Sequence, residues 1–180
     1  PPISSSIDIM GALGDDAARV MGLGSETQVI AGMADIPAAA AGSGALEDGE
    51  AHINIGTSSW LCISVSRPRN LGKYGIAPVV SADPEMYLMI GESETAGACL
   101  GWFAKNLCRC ADARGPAGEG ETFRDLDEIA RQVEPGAGRL LFAPWMFGER
   151  SPVTDTSIRA AFVNLGLEHK REHLLRAVYE

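Results

Sequence analysis

Short apolar runs that alternate with amphipathic stretches predict an α/β protein. Runs of strand length fall at 28–31, 52–55, 60–66, 76–81, 86–90 and 139–143. Between them, residues 95–107 carry Ala96, Leu100, Phe103, Ala104 and Leu107 at helical spacing, and 123–133 place Leu126, Ile129, Ala130 and Val133 on one face. Glycine and proline punctuate the boundaries, as element ends require.

Taken in order, residues 1–8 are rich in Pro and Ser and read as a linker or an extended lead-in. Residues 15–21 suit a short helix closed by Gly22 and Gly24. The run at 28–31 fits a buried strand. Pro37 then falls where the first turn of a helix tolerates proline, since that N–H lacks an intrahelical partner anyway. Residues 38–45 follow as a helix of small side chains, and 47–49 as a turn. Residues 52–55 and 60–66 form a hairpin around Gly56-Thr57-Ser58-Ser59. A loop at 68–74 precedes strands at 76–81 and 86–90, then the helix at 95–107. Residues 112–121 are Gly-rich and charged, a mobile loop before the helix at 123–133. A turn at 135–138 leads into a buried strand at 139–143. The irregular polar stretch at 144–159 is long enough to be functional, and 169–180 is helical. There is no internal repeat.

Composition bounds the function. The chain has 180 residues, room for one domain or one domain with attached pieces. Its 15 basic and 24 acidic residues leave a net charge of −9, which excludes broad nucleic-acid binding because a basic face is missing. No apolar run reaches the length of a bilayer, so a membrane partner is not expected. Of the four cysteines, Cys62 and Cys99 sit in apolar runs and read as buried small hydrophobes. Cys108 and Cys110 form a C-x-C with no second pair to complete a zinc site. Reduced thiols in a cytoplasmic protein follow. The chain opens on Pro1 and stops inside a helical run, so a piece of a longer protein is expected.

Two turns carry chemistry. Gly32-Met33-Ala34-Asp35 puts a carboxylate at the start of a helix, where Asp serves either as a cap or as a general base. Gly56-Thr57-Ser58 is either a plain hairpin turn or a phosphate cradle of N–H and hydroxyl donors. Trp60 is core or ligand-facing, and Glu149 with Arg150 is a surface ion pair or a brace for the loop around them. His169-Lys170-Arg171-Glu172-His173 matches an H-x-x-E-H zinc pattern without an obvious third ligand. Gly42-Ser43-Gly44 is a lone G-x-G at the end of a helix pattern, misplaced for a dinucleotide site.

In order, VIAGMAD…AAAAGSGAL, NIGTSSW, ETAGACLGWF and FAPWMFGERSPVTD…RAAFVNLGLEHKREHLLRAVYE resemble the FGGY family of carbohydrate kinases, most closely its xylulokinase-like members. The resemblance covers the whole chain. It implies a ribonuclease-H-like domain of the actin and hexokinase type, truncated at its C-terminal side: residues 1–27 would be the link from an N-terminal domain, and 28–180 the C-terminal domain. It implies Asp35 as catalytic base and sugar contact, Gly56, Thr57, Ser58 and Gly97 as ATP contacts, and Trp60 as a sugar contact. ATP and Mg²⁺ are the implied cofactors, a small sugar the partner, and a homodimer the assembly; no protein-bound metal site is expected. The D-x-G-T motif and the C-terminal glycine-rich adenosine motif of the family are absent, so this piece alone is expected to be inactive. Arg159-Ala160 stands where the family has Arg-Gly, and Ile36-Pro37 after the acid departs from the common pattern.

The resulting expectation is ATP-dependent phosphorylation of a sugar hydroxyl, with a ketopentose such as xylulose as acceptor. The competing reading is an actin-like nucleotide-binding module that regulates or assembles and phosphorylates no sugar.

Overall fold

The computed structural model describes residues 3–108 and 119–180. Cys110 and most of the loop expected at 112–121 lie outside the described residues. The chain divides into two compact units: 1–53, 61–72 and 76–90 form the first, and 54–60, 73–75 and 91–180 the second.

The first unit begins with β1 (Ile9–Ala12), α1 (Asp15–Met21) and β2 (Gln28–Ile30). Helix α1 ends as its glycines predict: Gly22 adopts the left-handed conformation at φ 69° and its N–H closes on the Ala18 carbonyl. Strands β1 and β2 pair antiparallel. The expectation of a buried strand at 28–31 is corrected here. All three residues of β2 are exposed, because the ribbon has no layer covering it among the described residues.

Helix α2 (Asp35–Gly42) starts three residues earlier than expected and stops before 43–45, which form turns. Pro37 lies in its first turn, and Pro37 and Ala40 are buried. Ser43 Oγ donates back to the Ala40 carbonyl at 2.8 Å, which closes the helix. Strands β3 (Ala51–Ile55), β4 (Ser59–Val65), β6 (Tyr87–Ser93) and β5 (Ala77–Val80) form one sheet in that order. Alternate residues Cys62, Ser64, Leu88 and Ile90 are buried, as the period of a half-buried strand requires. The Ser64 hydroxyl avoids an unpaired burial by donating to the Ala45 carbonyl at 2.6 Å. Asp48 Oδ1 accepts from the Ser66 N–H at 2.6 Å and ties the turn before β3 to the end of β4.

In the second unit, α3 (Gly97–Asn106), α4 (Glu119–Arg131) and α5 (Arg171–Tyr179) pack around Phe103, Leu126 and Leu175, all at most 2% exposed. Helix α4 begins at 119, so the loop expected through 121 is shorter at that end. The short antiparallel pair β7 (Leu141–Ala143) and β8 (Ala161–Val163) brings the Phe142 and Phe162 rings to 4.8 Å over Ala137, Leu140 and Ala177. The buried strand expected at 139–143 is half right: Leu140 is buried, but Leu141 is 65% exposed because only one face of this pair meets the helices. Leu175 is buried and Leu174 and Val178 pack beside it, so the helix expected at 169–180 is amphipathic as its spacing suggests, but it runs only from Arg171 to Tyr179.

Candidate active site

The hairpin between β3 and β4 turns at Gly56-Thr57-Ser58, with the Gly56 N–H donating to the Ser58 carbonyl at 2.8 Å. The three tip residues are exposed. Their outward carbonyls meet the first turn of α3. Gly97 N–H donates to the Gly56 oxygen at 2.8 Å, and Ala96 and Ala98 N–H donate to the Thr57 oxygen at 2.9 and 3.1 Å. The orphan donors of a helix N-terminus are thereby satisfied by the turn of a hairpin.

Gly97 has a steric reason to be glycine. A Cβ there would lie 2.7 Å from the Gly56 carbonyl oxygen, closer than any real contact allows. Gly97 is expected from its sequence context to give a nucleotide close approach and the pull of a helix dipole. In the structure that space and those N–H groups are taken by the hairpin, so Gly97 sets the position of the tip. Thr57 and Ser58 supply the exposed N–H and hydroxyl groups that remain. Trp60, next on β4, is half-buried.

The segment that leads into α3 is braced from the loop at 144–159. Glu149 is 5% exposed and is the one charged residue buried among the described residues. Its Oε2 accepts from Ser93 Oγ at 2.8 Å, and its Oε1 accepts from the N–H groups of Glu94 at 3.2 Å and Arg150 at 2.8 Å. The Thr95 hydroxyl donates to the Pro144 carbonyl, and Cys99 Sγ lies 3.8 Å from the same oxygen. Arg150 turns away from Glu149 and pairs with Glu92 and Glu94. Glu149 and Arg150 therefore do not pair with each other; they fix the loop to 92–95. Beside the hairpin and α3 lies a cavity of about 490 Å³, lined by Ser59, Thr95, Gly97, Leu100, Phe142 and Tyr179 among others.

Asp35 belongs to the first unit. It is not the cap that Asp before a helix would ordinarily be: Ala34 holds the cap position, and Asp35 is the first helical residue. Among the described residues its Oδ1 accepts only from the N–H of its neighbour Ile36, at 2.9 Å, and the residue is exposed. It lines a cleft of about 450 Å³ together with Ser5, Met33, Ile36, Val80 and Ser81. Ser81 is 3% exposed and its hydroxyl has no partner among the described residues, a feature that nothing in the sequence around it announces.

The zinc pattern at 169–173, which begins before α5 so that His169 lies outside the helix, has other work. His169 Nδ1 accepts from the Gly166 N–H at 2.9 Å while Nε2 bonds the Gly138 carbonyl at 3.1 Å, and His173 Nδ1 accepts from the Lys170 N–H at 3.2 Å. Among the described residues no group of three or more His, Cys, Asp or Glu could hold a metal ion, and no helix is long and apolar enough to cross a membrane.

The family model described as "FGGY family of carbohydrate kinases, C-terminal domain" matches residues 51–180. A xylulose kinase of Bacillus subtilis is 30% identical over 180 residues, covering 100% of this chain and 34% of that protein. A gluconokinase of the same organism is 30% identical over 164 residues, covering 89% of this chain and 31% of that protein. The crystal structure of a xylulose kinase from Rhodospirillum rubrum superposes with a TM-score of 0.76 at 26% identity, over 99% of this chain and 34% of that one. The chain thus spans about a third of the length of the curated relatives it matches.

Proposed function

The chain belongs to the FGGY family of carbohydrate kinases, with the α/β fold of the actin and hexokinase type, and from that premise we propose that the whole protein phosphorylates a sugar hydroxyl with ATP. The acceptor is a ketopentose such as xylulose. Asp35 is the general base: its carboxylate takes the hydroxyl proton as the sugar oxygen attacks the γ-phosphorus, and the bond from phosphorus to the bridging oxygen of ADP breaks. The exposure of Asp35 on the wall of a cleft, engaged by no more than a neighbouring N–H, carries this assignment. General-base assistance of this kind contributes about 10²–10⁴-fold.

Gly56, Thr57 and Ser58 hold the phosphates through backbone N–H groups and hydroxyls, and Gly97 holds the hairpin in place for them. Trp60 offers a ring face to the sugar. Mg²⁺ comes with ATP as part of the substrate and neutralises charge on the phosphates. Residues 1–27 link to an N-terminal domain, 28–180 belong to the C-terminal one, and the enzyme is a cytoplasmic homodimer in this reading.

A panel of pentuloses, hexuloses, gluconate and glycerol, assayed on the whole protein by ADP release, tests the proposal. Sugar-stimulated ADP release, largest with a ketopentose, is the expected outcome. ATP binding without stimulation by any sugar would replace the kinase with a nucleotide-responsive module.

A further inference from the structure

We propose that Glu149 is a positioning residue for the nucleotide, acting through the helix start and the hairpin tip. The inference rests on the reading of 56–58 as the phosphate grip. Its physical basis is a continuous chain of bonds inside the second unit. The Glu149 carboxylate holds Ser93 Oγ and the Glu94 N–H, and Thr95 is pinned to Pro144. Three residues on, the N–H groups of Ala96, Gly97 and Ala98 hold the Gly56 and Thr57 carbonyls. A shift at 93–95 is therefore a shift of the tip, because the helix start it leads into is what the Gly56 and Thr57 carbonyls are bonded to.

The type of residue matters. Glu149 is buried, yet the Arg150 guanidinium is occupied by Glu92 and Glu94, so no cation pairs with it in this set of contacts. Its charge is met by one hydroxyl and two backbone N–H donors. A buried carboxylate held this way is costly to keep unless its geometry is needed, since an apolar side chain would avoid the desolvation. What it supplies is three acceptor contacts from one side chain, converging on 93, 94 and 150.

The experiment uses the whole protein with Glu149→Ala and Glu149→Gln. ADP affinity is measured by calorimetry without sugar, alongside KM for ATP, KM for sugar and kcat. In the Ala variant two backbone N–H groups and a hydroxyl lose their acceptor, and ADP affinity falls about tenfold. KM for ATP rises in parallel while KM for sugar stays put. The Gln variant keeps an acceptor for both N–H groups and a donor for the Ser93 oxygen, so its ADP affinity stays within about twofold of wild type.

Unchanged ADP affinity in the Ala variant overturns the proposal, and so does an equal rise in both KM values, which would place the effect on the whole site and not on the nucleotide; a merely destabilised fold would lower kcat and leave both KM values alone. Should the Ala variant fail to fold, Ser93→Ala removes the hydroxyl that bonds Glu149, together with its longer contact to the Thr95 carbonyl, and leaves the carboxylate in place; weaker ADP binding in it supports the proposal and unchanged binding overturns it. A wild-type protein that binds ADP but phosphorylates no sugar would defeat the kinase reading and leave this inference standing.

Discussion

One proton acceptor and one missing methyl group separate the two halves of the proposed reaction. Asp35→Asn preserves size and the Oδ1 contact to Ile36, but cannot take a proton. In the whole protein we expect turnover to fall by about 10²–10⁴-fold with ADP affinity unchanged. Turnover near wild type would remove Asp35 from the mechanism. Gly97→Ala does the reverse. The added Cβ meets the Gly56 carbonyl at 2.7 Å, so the hairpin must retreat from α3. Overpacking of this kind costs about 1–3 kcal/mol of stability, and ADP affinity should weaken while KM for sugar holds. A Gly97→Ala protein with wild-type ADP binding would uncouple the tip from the helix start. Both positions stand out in the sequence by residue type. For Gly97, local reasoning could not see that a carbonyl from forty residues earlier fills the space a nucleotide was expected to use.

At the scale of elements, what reads out locally is what local physics decides. Helices α1, α3, α4 and α5 follow from periodicity, and the end of α1 from a glycine that accepts a left-handed φ. The misplaced features depend on partners far along the chain. The start of α3 at Gly97 is set by hairpin carbonyls, and the three-residue strand β8 is defined by its pairing with β7, where Phe162 meets Phe142. Burial of β2 failed for the same reason: an apolar run states that a side chain could be covered, while only the fold states whether anything covers it. Two consequences are measurable. The bond from the Ser66 backbone N–H, followed by the Ser66 hydroxyl, holds the Asp48 carboxyl below its ordinary range. A depressed carboxylate adds stability above its unfolded pKa of about 3.9 and loses it as pH falls through the folded value. Asp48→Asn should therefore lower Tm at pH 7, with the difference shrinking below about pH 3; a constant difference across that range would deny the linkage. Burial also raises the thiols of Cys62 and Cys99. In the native protein at pH 8, peptides carrying them should emerge from iodoacetamide treatment unmodified, and labelling as fast as in the unfolded chain would contradict their burial.

At the scale of the whole molecule, the α/β class is legible from alternation alone, but the site is not: no spacing rule joins Asp35, 56–58 and Gly97 into one reaction. The ordered set of motifs reports the family, and the family is what the proposed joint role of these turns rests on. The second unit shows what holds its share together. Leu175 on α5 is fully buried against Phe103 of α3 and Leu126 of α4, so one side chain joins three helices, and α3 is the helix whose first turn carries the hairpin. Leu175→Ala leaves a cavity in a place where all three walls are helices with other commitments, which limits collapse. The expected cost is about 2–5 kcal/mol. Against a domain stability of about 5–15 kcal/mol that is a large fraction, and denaturant unfolding of the variant should show a lower midpoint with an unchanged slope. Because the hairpin bonds at Gly56 and Thr57 lie at the opposite end of α3 from the cavity, ADP affinity should survive at temperatures where the variant remains folded. Loss of ADP binding in a folded Leu175→Ala protein would mean that α3 moves as a body when its core contact is removed, and that the grip on the nucleotide is set by core packing more than by the bonds at the helix start.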